Sequence, residues 1–150
     1  TEILSKIDFM AWIKGAEVPV KPEFTSAELE KVFKLANDYI ALNGDSSPDG
    51  FEEIPNMFSL YIETFLRYLL THKSMNLKIV ERLDKDHDFT HKFSKEIRCC
   101  WFKICLTHKH EPAYPEIYEF LGSNGRIKYI RPIYALLDKI DHDKAVELFK

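Results

Sequence analysis

The chain has 150 residues, with 21 Lys and Arg against 24 Asp and Glu, a formal net charge of −3 and 45% apolar residues. That composition supports a packed core and excludes a globally disordered chain, and the lack of a basic surplus argues against a general nucleic-acid binder. No apolar run approaches the ~20 residues a membrane helix needs, so a membrane partner is not expected.

The opening Thr1–Lys6 lacks the basic region and apolar run of a signal peptide. No Met starts the chain and its last residues read as an unfinished helix, so an excised piece of a longer protein is expected. Residues 1–24 form a lead-in: a short helical turn around Ile7–Ile13, then an extended crossing imposed by Pro19 and Pro22. A first long helix is expected near Thr25, where Thr25-x-x-Glu28 has the capping-box pattern, with Leu29, Val32, Phe33, Ala36 and Ile40 on one face. Asn43-Gly44 supplies a left-handed stop, and Asp45–Gly50 is a loop.

A second helix is expected from about Asn56 to Leu70, with Phe58, Ile62, Phe65 and Leu69 inward. A third carries Leu77, Val80 and Leu83 and ends at Lys85–Asp88; a fourth covers Lys95–Thr107, with Ile97, Trp101 and Ile104 inward. A fifth spans Pro112–Leu121 with Gly122 as its stop. Asn124–Ile130 reads as a short basic, apolar-interleaved connection, Pro132 as the first turn of a sixth helix, and Asp141 as the cap of a last one. The expected fold is therefore all-α. Residues 25–150 would stack antiparallel helix pairs into an αα-superhelix of the armadillo or HEAT kind, within a single domain over residues 1–150.

The chemistry-bearing residues are sparse. His87 and His91 stand at i,i+4, but Asp88 follows the first His where a zinc peptidase helix needs Glu, so surface histidines are the simpler reading. Cys105, His108 and His110 are a second candidate ligand group, disfavoured because Cys105 faces the core while His110 leaves the helix. The three cysteines, Cys99, Cys100 and Cys105, read as reduced thiols in a cytoplasmic or nuclear setting. No phosphate loop and no nucleophile elbow occur, and no catalytic residue is assigned. One local pattern stands out. In an extended segment, Arg126 and Lys128 would point to one side and Ile127 and Tyr129 to the other, forming an anion receptor on an apolar anchor. A solvated basic loop is the plainer alternative from composition alone.

From Glu96 onward the chain carries Glu-Ile-Arg-x-x-Trp-Phe-x-x-Cys, then Gly125-Arg126-Ile127-Lys128-Tyr129-x-Arg131-Pro132, then Asp141-His142-Asp143-Lys144-Ala145. This resembles the C-terminal domain of the leukotriene A(4) hydrolase branch of zinc aminopeptidases, which includes aminopeptidases B and O. Ile7-Asp8-Phe9-x-Ala11-Trp12 and Val18–Pro22 match as well. The resemblance implies a helical superhelix that closes one side of the active-site cleft. The zinc, which activates water and polarises the scissile carbonyl, would lie in a preceding catalytic domain absent from this chain. It also implies that Arg126 and Lys128 meet the carboxylate of a short peptide substrate, and that this chain holds no metal and is inactive alone. The catalytic domain of the same polypeptide would be its intramolecular partner. The competing reading is an armadillo-like protein- or peptide-interaction module with no role in peptide hydrolysis.

Overall fold

A computed structural model describes residues 9–14 and 26–149, and among these the chain is all helical, with no strand. The helices are α1 (Phe9–Lys14), α2 (Ala27–Ala41), α3 (Ser59–Thr71), α4 (Leu77–His87), α5 (Lys95–His108), α6 (Tyr114–Ser123), α7 (Ile127–Ile140) and α8 (His142–Phe149). Short 3-10 turns cover Phe51–Asn56 and Glu111–Ala113. The extended crossing expected at Pro19 and Pro22 lies outside the described residues.

The apolar rows read from the sequence supply most of the core. Ile62, Phe65 and Leu69 of α3, Val80 and Leu83 of α4, and Ile97, Trp101 and Ile104 of α5 are all buried. Helices α3, α5 and α7 lie side by side and run the same way. Ser59 and Ile62 of α3 share a cavity with Ser94 and Ile97 at the start of α5. Further along, Cys99 of α5 faces the Tyr129 carbonyl of α7. α2 packs antiparallel on α3, since Phe33 stacks near Tyr68 and Tyr39 near Phe65. α4 packs on α5, and α8 packs on α6 and α7. The parallel layer brings the N-termini of α3, α5 and α7 to one edge of the stack.

Several local expectations are corrected. The α2 cap is Ser26, whose hydroxyl accepts from the Leu29 N–H at 3.1 Å. α3 starts at Ser59 because the preceding 3-10 turn runs to Asn56 and Met57 and Phe58 are then extended in ψ; Phe58 is 81% exposed rather than inward. Gly122 continues α6 to Ser123, and the extended Asn124 ends it. Other local expectations hold. Asn43 and Gly44 have φ of 50° and 81°, and the Asp141 carboxylate accepts from the Lys144 N–H at 3.0 Å.

Candidate functional site

The largest correction falls on the basic segment. α7 begins at Ile127, so Lys128 is helical and Pro132 sits inside the helix rather than at its first turn. Arg126, the helix N-cap, stays extended, with φ −86° and ψ 107°. The alternation expected for an extended segment is lost. Ile127 points outward at 69% exposure, while Tyr129 alone anchors the segment, buried at 6%.

The cations nevertheless converge, on Tyr129 rather than on an extended edge. The Arg126 guanidinium carbon lies 5.3 Å and the Lys128 Nζ 4.7 Å from the centroid of the Tyr129 ring. An aromatic face attracts both charges through its quadrupole. The Arg126 Nη1 donates to the Tyr129 hydroxyl at 3.2 Å, and that hydroxyl donates to Glu96 Oε1. Arg126, Tyr129 and Glu96 line a cavity of about 370 Å³ with Lys95, Ser123, Asn124 and Gly125; Lys128 stands outside that lining. Asn124 is buried and donates from Nδ2 to the Phe120 carbonyl at 2.7 Å, which fixes the loop that presents Arg126.

Positive charge gathers around Arg126 and Lys128. Among the described residues, neither Arg126 nor Lys128 forms an ion pair, although both side chains are exposed. Both sit at a helix N-terminus with no acidic residue in its first turn, where the macrodipole already carries partial positive charge. Cations are disfavoured there on stability grounds, so the placement concentrates positive potential at the cavity. Glu96 is the local exception. The Tyr129 hydrogen bond, with Lys128 and Arg126 nearby, holds its carboxyl below the usual carboxylate range. Neither Glu96 nor Tyr129 stood out as a polar site residue in the sequence. Glu96 was visible only as part of a motif, and Tyr129 only as an apolar anchor.

The other sequence candidates separate. α4 ends at His87 and Asp88 turns left-handed at φ 54°, so His87 and His91 do not share a helical face. His87 is buried against Tyr39, whereas His91 is exposed and pairs with Asp88 at 2.5 Å. Cys105 is fully buried, and His110, also buried, turns to Asp84 at 3.2 Å. Burial raises the Cys105 thiol far above its ordinary range, which leaves it protonated and inert. Among the described residues no group of three or more His, Cys, Asp or Glu could hold a metal ion, so a zinc centre does not fit these residues. An apolar groove of about 550 Å³ lies apart from the cavity, between α7 and α8, lined by Ile130, Tyr134, Val146 and Phe149 among others.

The fold and site define a class: a helical-stack domain that presents a cationic pair on a buried tyrosine at an edge of aligned helix N-termini. The family model of the leukotriene A4 hydrolase C-terminal domain matches residues 59–150, and the chain belongs to that family. Curated relatives include leucine aminopeptidase 2-1 of Meyerozyma guilliermondii, 25% identical over 99% of this chain and 26% of its own length. Leucine aminopeptidase 2 of Chaetomium globosum is 26% identical over 98% of this chain and 24% of its own length. The chain thus spans about a quarter of the curated relatives it matches. Among solved structures, native leukotriene A4 hydrolase of Saccharomyces cerevisiae shares the fold, with a TM-score of 0.74 and 22% identity over 99% of this chain and 27% of that one. No described helix is long and apolar enough to cross a membrane.

Proposed function

We propose that this chain is the non-catalytic C-terminal domain of a zinc aminopeptidase. In this reading it closes one side of the catalytic cleft and receives the carboxylate of a short peptide substrate on Arg126 and Lys128. The observation that carries the reading is the pair itself: two exposed cations that form no ion pair among the described residues, held on one buried tyrosine at a helix N-terminus. Arg126 offers a planar fork that matches a carboxylate in two parallel hydrogen bonds, and Lys128 adds a point charge. Holding the far end of a peptide sets where its scissile carbonyl lies, so the grip affects turnover as well as binding.

The aminopeptidase assignment draws on the relatives named above. The zinc belongs to the catalytic domain, the intramolecular partner of this one. Three buried cysteines, none in a disulfide, support a reducing compartment, cytoplasmic or nuclear.

The test is Arg126→Ala in the intact polypeptide that carries this chain, assayed with tripeptides bearing a free or an amidated C-terminus. The expected loss in kcat/KM for the free acid is about 1.5–3 kcal/mol, the scale of a hydrogen bond to a charged group. The amide should show no comparable loss. Wild-type kinetics on the free acid would overturn the receptor role. Stable capture of a protein partner that survives Arg126→Ala but is lost on mutating the α7–α8 groove would favour the interaction-module reading.

A further inference from the structure

We propose that Glu96 is a specificity-determining residue of this anion site: its carboxylate is a built-in rival that an incoming carboxylate must outcompete. The inference rests on the receptor reading above.

Glu96 and Arg126 line the same cavity, one from the first turn of α5 and the other from the N-cap of α7. They are joined through a single atom, the Tyr129 hydroxyl oxygen. A phenol has one proton. Tyr129 gives it to Glu96, so its lone pairs face the Arg126 N–H. The chain of hydrogen bonds is therefore directional, from guanidinium to phenol to carboxylate, and Glu96 enters it as the charged acceptor at the end.

Glu96 makes no direct ion pair with Arg126 or Lys128, so the cations stay open. Its charge nevertheless sits in the cavity that a second carboxylate would enter. Like charges sharing a small cavity repel, and the cost falls on the newcomer. Glu96 thereby tunes the site to weak, reversible capture and disfavours anions that cannot match the Arg126 fork. The plain alternative is that Glu96 is only a favourable acid at the α5 N-terminus, with no bearing on the ligand.

Glu96→Gln separates these readings. Glutamine keeps a carbonyl oxygen to accept from Tyr129 but removes the charge. In the intact polypeptide, the ratio of KM for a free-acid tripeptide to KM for its C-terminal amide is measured for wild type, Glu96→Gln and Arg126→Ala. Thermal melting of each variant confirms folding. Glu96→Gln should lower the free-acid KM by roughly threefold to fivefold, the upper range for an exposed charge pair, with no comparable gain on the amide. An unchanged ratio would overturn the proposal in favour of the helix-terminus role. A raised free-acid KM would overturn it in favour of Glu96 holding Arg126 in place through Tyr129. If Arg126→Ala leaves the ratio at the wild-type value, the receptor reading itself fails, whatever Glu96 does.

Discussion

His87 shows how one buried side chain can make stability depend on pH. Tyr39 donates its hydroxyl proton to Asp86 at 2.9 Å, so the Tyr39 oxygen accepts from His87 Nε2–H at 2.8 Å. The other ring nitrogen, Nδ1, is buried without a partner, among Phe51, Phe89 and Tyr39. Burial lowers the His87 pKa from 6.5 to about 4, while the nearby Asp86 charge opposes the shift. Because the folded value lies below the unfolded one, unfolded chains take up a proton first as pH falls. The stabilisation is whole above pH 6.5 and is lost progressively down to about pH 4. Urea titrations across that window should show a loss of up to about 3 kcal/mol. His87→Gln should flatten that pH dependence, and an equal slope in the variant would assign it to other groups.

At the scale of elements, the turn after α2 packs closely against the start of α4. Gly44 has φ +81°, and a Cβ there would come within 2.5 Å of the Lys78 carbonyl oxygen. Asn76 caps α4 by accepting from the Ile79 N–H at 3.2 Å and also donates to the Asn43 side chain at 2.6 Å. Arg82 reaches back to the carbonyls of Gly44 and Asp45, both at 3.3 Å. Gly44→Ala combines left-handed strain with an overlap against backbone that cannot swing away. Its expected cost is about 2–4 kcal/mol in a denaturation midpoint analysis. The Asn43-Gly44 stop was readable from two residues, whereas the reason Gly44 tolerates no side chain is set by α4, 34 residues further on. α7 shows the opposite case. A proline usually marks a first turn, but the apolar positions Ile130, Ile133 and Leu137, with Tyr129, pack inward and extend the helix upstream of Pro132. Packing outweighs the lost N–H.

Across the whole molecule, one buried cluster runs from Val32 to Ala145 and ties α2 through α8 together. Trp101 sits within it, fully buried, stacked 5.2 Å from Phe89 and donating from Nε1 to Thr90 Oγ1 at 3.0 Å. Thr90 in turn donates to the Asp84 carboxylate, which also meets His110. Trp101→Ala should lower stability by about 3–5 kcal/mol, through lost transfer energy and the cavity left behind. A thermal melt that moved by only a degree or two would mean the centre of the stack can collapse around the gap.

What the sequence determined by itself was class and periphery. Apolar residues at helical spacing require helices, and Ile62, Phe65, Leu69, Leu83, Trp101 and Ile104 went inward as their periodicity demands. The Gly-Arg-x-Lys string marked where positive charge gathers. The tertiary structure alone decided how that charge is held. A local pattern reports which face a residue takes once its conformation is known, and Ile127–Ile130 took helix rather than the extended form. Of the contacts that make the site, those of Tyr129 with Arg126 and Lys128 lie within the first turn of α7, while the one with Glu96, from a helix more than 30 residues earlier, is long-range. No spacing rule within one segment encodes the Glu96 contact; it exists because α5 and α7 pack in parallel with their N-termini together.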